Sequence, residues 1–182
     1  MFNYEKIKDS LKINTSNPLK LKDFNECGLF LPSTSVDIHE PYSNQLDIIA
    51  YKAAQAGEGV IVDDAALFVE GTDIGVDIKH REAELVNHFG KTAAEFNVLG
   101  VLIEGKVYVF VSRLLGQIVE PQTEIIKMDY DDFLKPVNQE VTLRLYNPDE
   151  FNLRKLNVQK MINNQVDHTL DPIYTWEGKF QD

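Results

Sequence analysis

The most chemically loaded stretch of the chain is Val60-Ile61-Val62-Asp63-Asp64, where three β-branched residues run into two adjacent carboxylates. A continuous β-branched run predicts a strand buried on both faces, here ending abruptly at the aspartates. Carboxylates that close repel each other, which raises a pKa or calls for a cation. Mg²⁺ suits oxygen ligands and commonly bridges to substrate phosphates. A strand-end turn with solvated aspartates is the alternative reading. A second feature is Thr15-Ser16-Asn17-Pro18-Leu19-Lys20. Asn17 reads as an N-cap and Pro18 as a first-turn proline. The N–H groups of that helix start form an anion site, and Lys20 adds positive charge on its first turn. An ordinary helix cap would look the same. The segment is no P-loop, since it has no glycine-rich run and no Gly-Lys-Ser/Thr.

The third feature is Glu40 with Asp47 and Lys52. Glu40 lies just before a predicted helix, Asp47 falls in its first turn where the helix dipole favours a carboxylate, and Lys52 follows further along. Each also reads as ordinary surface charge. His39, His80, His88 and His168 show no metal-ligand spacing, and Ser112 and the other serines have no nucleophile elbow around them.

Positioning these side chains requires an alternation of strands and helices. The pattern predicts a strand over 11–15, a helix from Pro18 stopped by Gly28, a short strand over 29–31 and an extended piece over 36–38. A helix opens at Ser43 or Asn44, carries Leu46, Ile49, Ala50 and Ala53 on one face, and ends at Gly57. Beyond the aspartates, Leu67-Phe68-Val69 resumes an extended pattern and 78–89 reads as a helix. Strands over 96–103 and 106–112 meet at a Glu104-Gly105 hairpin; further strands are expected over 115–119 and 141–146. A helix from Pro148 to about Asn164 closes the domain. The expected fold class is α/β: a central mixed β-sheet flanked by helices. One domain is expected over 1–165, with 166–182 appended as a tail. In the tail, Pro172, Tyr174 and Trp176 either pack over a cleft or a dimer seam or belong to a flexible end.

The 182 residues suit a single domain. With 18 basic and 29 acidic residues the net charge is −11, which disfavours non-specific binding to nucleic acid or anionic membranes. It leaves room for a small anionic ligand, because local lysines and a divalent cation reverse the local field. The single cysteine, Cys27, excludes an internal disulfide framework and a cysteine-rich zinc site. No apolar run approaches the ~20 residues of a membrane span, and the first residues carry no signal-peptide pattern. A cytoplasmic location is expected.

Taken in order, these pieces resemble the inosine-triphosphate pyrophosphatase family, which acts on non-standard purine nucleoside triphosphates. That family opens with T-G-N-x-x-K-x-x-E, matched here by Thr15 to Asp23. An acidic residue then precedes a helix with a K-A or K-C pair, matched by Glu40 and Lys52-Ala53. A strand ending in [DE]-D-[ST]-x-L is matched by Asp63-Asp64-Ala65-Ala66-Leu67, and the glycine loop and helix after it by 71–79. Weaker matches are Gly116 to Pro121, Tyr130-Asp131-Asp132 and Asn152-Leu153-Arg154. The chain departs from the family pattern at Ser16, Ala65, Pro148 and Leu153, the last two standing where a lysine and a histidine are usual. The metal-binding half is therefore better kept than the specificity half.

The resemblance implies Mg²⁺-dependent hydrolysis of a nucleoside triphosphate to the monophosphate and pyrophosphate. It implies Glu40 and Asp64 as metal ligands, with Asp64 also the general base, and Asp47 and Asp63 supporting or sharing the metal. Thr15, Asn17, Lys20 and Lys52 would grip the triphosphate, with Lys79 as a further contact. Tyr130, Asp131 and Arg154 would lie near the base. It also implies two lobes with the site in a cleft, and a homodimer. The alternatives are a nucleotide-binding regulator on the same fold with little or no hydrolysis, and an interaction module whose charges are surface residues.

Overall fold

Val60-Ile61-Val62 does begin a strand, but the strand does not stop at the aspartates: it continues through them to Val69 (β3, Val60–Val69). In this computed structural model, which describes residues 1–181, β3 lies in a mixed sheet of order β2-β1-β3-β4-β5-β6, and β7 also pairs with β5. The strands are β1 (Lys12–Asn14), β2 (Ser33–Thr34), β4 (Thr92–Ile103), β5 (Lys106–Ile118), β6 (Leu134–Pro136) and β7 (His168–Leu170). β1 is parallel to β2 and to β3, whereas β5 is antiparallel to β6 and β7. The helices are α1 (Tyr4–Ile7), α2 (Pro18–Glu26), α3 (Gln45–Ala56), α4 (Ile78–Arg81) and α5 (Leu153–Ile162). The expected α/β class with a mixed sheet is borne out.

The chain forms two compact units. The first contains Met1–Asp64, Asn97–Ser112 and Arg154–Gln181. Its α2 starts as its sequence dictates: the Asn17 side chain accepts from the Leu19 N–H, and Pro18 occupies the first turn. α3 is capped by Asn44, which accepts from the Asp47 N–H, and ends at Gly57 with φ +97°. One face of α3 buries Ile49 and Ala53 against Val62, Val98, Leu102, Val107 and Val109. The approach is close: a Cβ at Gly100 would lie 2.6 Å from Ile49 Cγ1. Burying Ile49 contributes roughly 1.5–3 kcal/mol. A second apolar cluster joins Phe2, Tyr4, Leu11, Ile13, Phe24, Ile61, Phe110, Val158 and Met161.

The second unit contains Ala65–Phe96 and Arg113–Leu153. Its core is built on Leu67, Val69, Ile74, Ile78, Leu85, Ile118, Phe133 and Leu134. The predicted helix over 78–89 is one α-turn, α4, followed by a 3₁₀ segment over Glu82–Asn87. Only Ile78 and Leu85 are buried there, too few apolar anchors to hold a full α-helix. The strand expected over 141–146 is absent. The Leu145 and Tyr146 N–H groups both donate to Thr142 O, closing turns where a ladder would run. The strand expected separately over 115–119 is the continuation of β5, and the short strand expected over 29–31 is absent. The Glu104-Gly105 turn is found, both residues at positive φ as a two-residue hairpin turn requires.

The segment after α5 packs as part of the first unit: β7 pairs with β5, and Ile173 N–H donates to Ala50 O at 3.4 Å. The last residue of the expected tail lies outside the described residues. Among the described residues, no helix is long and apolar enough to cross a membrane.

Candidate active site

β3 carries Asp63 and Asp64 to opposite faces, and each meets different partners. Asp63 is 8% exposed. Its Oδ1 accepts from Lys20 Nζ at 2.7 Å, and its Oδ2 accepts from Arg154 Nε and Nη2 at 3.1 and 3.0 Å. Arg154 Nη1 also donates to Asp23 Oδ2 at 2.6 Å. Thus the first turn of α2 and the first turn of α5 are tied to one strand carboxylate. Burial pushes the Asp63 carboxyl up, but Lys20, Arg154 and Lys52 outweigh it and hold it well below the usual range.

Asp64 sits in the opposite electrostatic situation. It is 5% exposed, and its Oδ2 accepts from Gln45 Nε2 at 3.0 Å. Burial raises its pKa to about 6; Glu40 and Asp63 push the same way, against Lys52 and Gln45. Lys52, on α3, donates to Glu40 Oε1 at 2.7 Å and to the Asp63 carbonyl at 2.6 Å. Burial disfavours its charge, but Glu40, Asp64 and Asp63 more than compensate and keep its pKa raised.

The structure therefore brings Lys20, Glu40, Lys52, Asp63, Asp64 and Arg154 into one network in the first unit. Thr15 and Asn17 lie at its α2 end, where the Thr15 hydroxyl accepts from the Asn17 N–H at 3.0 Å. Asp47 is engaged elsewhere: its Oδ2 accepts from Ser43 Oγ at 2.7 Å and Asn44 Nδ2 at 3.0 Å, within the α3 cap. Lys79, Tyr130 and Asp131 belong to the second unit. Lys79 is exposed on α4. The Tyr130 hydroxyl donates to Glu95 Oε1 at 2.9 Å. Burial, then Asp129, raises Asp131 to about 7, against a lowering by Arg144. Two members of the first-unit network were not among the expected site residues: Gln45 carried no signal, whereas Asp23 stands at the closing acidic position of the first motif. Gln45 opens α3 and holds Asp64. Asp23 holds Arg154 and lies three residues after Lys20, the spacing that places both on one helix face.

Glu40 and Asp64 flank Lys52 with hard oxygen donors. A carboxylate with a raised pKa beside a second carboxylate is stabilised by added positive charge. Among the described residues, no group of three or more His, Cys, Asp or Glu side chains is arranged to hold an ion. Two carboxylates are nonetheless the donor number Mg²⁺ commonly takes from protein, with water and substrate phosphates supplying the rest. The residues present fit that ion.

The comparisons with known proteins agree with this arrangement of elements. A nucleoside-triphosphatase described as a dITP/XTP pyrophosphatase, from Mycobacterium abscessus, has a similar fold: TM-score 0.54 at 19% sequence identity, covering 78% of this chain and 90% of that one. No curated protein sequence matches the chain. The Ham1 family sequence profile matches residues 3–156. The chain belongs to the Ham1 family, which bears out the resemblance carried by its motifs.

Proposed function

We propose that this protein is a Mg²⁺-dependent nucleoside-triphosphate pyrophosphatase, releasing the nucleoside monophosphate and pyrophosphate. Family membership supports hydrolysis of nucleoside triphosphates in general. The observation that carries the finer reading is the split of one carboxylate pair: Asp63 neutralised by cations, Asp64 raised to about 6 beside Glu40 and Lys52.

In this reading Asp64 serves as the general base. At a pKa of about 6 the carboxylate is mostly deprotonated at neutral pH and more basic than an ordinary aspartate, so it can take a proton. It accepts the proton of a water whose oxygen forms a bond to the α-phosphorus. The bond from that phosphorus to the bridging oxygen breaks, and pyrophosphate leaves with the electron pair. Lys52 and Lys20 meet the phosphate charge, helped by the N–H groups at the start of α2. Glu40 and Asp64 would hold Mg²⁺, which when bound neutralises triphosphate charge. A homodimer in the cytosol completes the proposal; light scattering reads the first part.

The test is pyrophosphate release across standard and deaminated NTPs and dNTPs, with and without Mg²⁺, using Asp64→Asn as control. Mg²⁺-dependent release that the variant loses is expected. A flat panel rejects hydrolysis. The second reading, a nucleotide-binding regulator, draws on the lysines and Arg154 being already paired with Glu40, Asp23 and Asp63, and on Leu153 standing at the family's histidine. Nucleotide-induced thermal stabilisation without turnover distinguishes it.

A further inference from the structure

Glu40 is the one member of the network that sits on neither a helix nor a regular strand. A binding group is useful only when its geometry is held to within about 0.5 Å, which an irregular segment does not do alone. The support comes from residues 168–181, beyond the stretch matched by the family profile. From β7 this segment runs beside α3, where Gln55 Nε2 donates to Tyr174 O at 2.8 Å. It then reaches 39–42. Tyr42 N–H donates to Lys179 O at 2.8 Å, and Gln181 N–H donates to Glu40 O at 2.8 Å. The Gln181 side-chain Nε2 donates to Pro41 O at 3.0 Å, and His39 Nε2 lies 3.2 Å from Gln181 O. Pro41 and Phe180 form an antiparallel bridge.

Phe180 adds packing to these hydrogen bonds. Its ring stacks on His39 with centroids 4.6 Å apart at 16°, and meets Tyr51 edge-on at 6.2 Å and 68°. His39 precedes Glu40 and Tyr51 precedes Lys52. One aromatic ring thus touches the chain neighbours of both partners in the 2.7 Å Glu40–Lys52 ion pair. Gln181, next to it in the chain, is 4% exposed.

We propose that Phe180 and Gln181 are positioning residues for Glu40: the strap they end turns an irregular segment into a bridged one and sets the carboxylate against Lys52. The proposal rests on Glu40 being a ligand of the divalent cation. It is tested on the full chain by Mn²⁺ binding, followed by electron paramagnetic resonance, together with the Mg²⁺ concentration giving half-maximal pyrophosphate release. Phe180→Ala is expected to weaken Mn²⁺ binding five- to tenfold and raise the Mg²⁺ requirement by the same factor. Phe180→Tyr, which keeps the stack, is expected to stay within twofold of the parent. Leu170→Ala loosens the same segment at β7 and is expected to lower Tm without moving the metal affinity. If Phe180→Ala does not fold, Gln181→Ala carries the comparison, with at least a threefold weakening expected. Should Glu40→Gln bind Mn²⁺ as the parent does, Glu40 is no ligand and the site reading itself fails. If Glu40→Gln weakens binding while the strap variants match the parent, the site reading stands and the strap proposal is overturned. Equal weakening by Leu170→Ala also overturns it, since general loosening would then explain the effect.

Discussion

Replacing Asp63 with asparagine keeps the shape of the side chain and removes its charge. In the parent, one carboxylate receives Lys20 at 2.7 Å and Arg154 at 3.0 Å. Asparagine offers one acceptor and turns an NH₂ donor toward a cation, so at least one of these interactions is lost. Breaking a buried pair from one side costs about 3–5 kcal/mol, because it strands the other charge. Two features moderate the figure. Arg154 keeps Asp23 at 2.6 Å, and the Lys20 side chain is 30% exposed, so water replaces part of its partner. The expected loss is therefore about 2–4 kcal/mol, or roughly 5–15 °C in Tm for a chain of this size. Urea unfolding at pH 7 measures it. The pH dependence has a definite sign. The Asp63 pKa is lowered in the folded state, so its stabilisation is full above the ordinary carboxylate range and is lost as pH falls below about 4. The gap between parent and variant should stay constant from pH 7 to 5 and narrow below that. A variant within 0.5 kcal/mol of the parent at pH 7 would refute the reasoning, since such a change is of ordinary surface size.

Asp131 should act in the opposite direction. Its folded pKa is raised to about 7, so stability falls as pH rises from about 4 to 7, by roughly 2–4 kcal/mol, and Asp131→Asn should flatten that slope in urea titrations at stepped pH. Asp64→Asn should lower kcat at least about 100-fold, with far-UV circular dichroism unchanged; retained turnover would remove Asp64 as the base. Gly116→Ala places a Cβ 2.5 Å from Lys135 O and 2.8 Å from Leu134 Cδ1, and the backbone oxygen of the paired strand does not yield. A loss of about 1–3 kcal/mol is expected, read by thermal melting; an unchanged Tm would show that β5 and β6 separate easily there.

Features that depend on neighbours in sequence were legible. Asn17-Pro18 starts α2 because an Asx cap and a fixed proline φ need only the local chain. Gly57 ends α3 and Glu104-Gly105 turns the hairpin for similar local reasons. Errors fell where contacts far along the chain override the pattern. Asp63-Asp64 reads as a strand end, yet β3 runs on to Val69, because Lys20, Lys52 and Arg154 arrive from distant segments to compensate the buried charge. The alternation over 141–146 reads as a strand. Arg144 is instead drawn to Asp132 at 2.8 Å, and local turns take the backbone hydrogen bonds.

The sequence alone therefore determined the α/β class, the helix caps, the core-facing periodicity and the residue types from which a site could be built. Only the tertiary structure decided what each charge does. Asp63 and Asp64 are chemically identical neighbours. The alternation of a strand sends one toward two cations and the other toward Gln45, with Glu40 and Lys52 nearby. Local propensity is set by a residue and the few around it. A carboxylate's proton affinity is set by the burial and charge of whatever the folded chain brings within a few ångströms, and that depends on the path of the whole backbone.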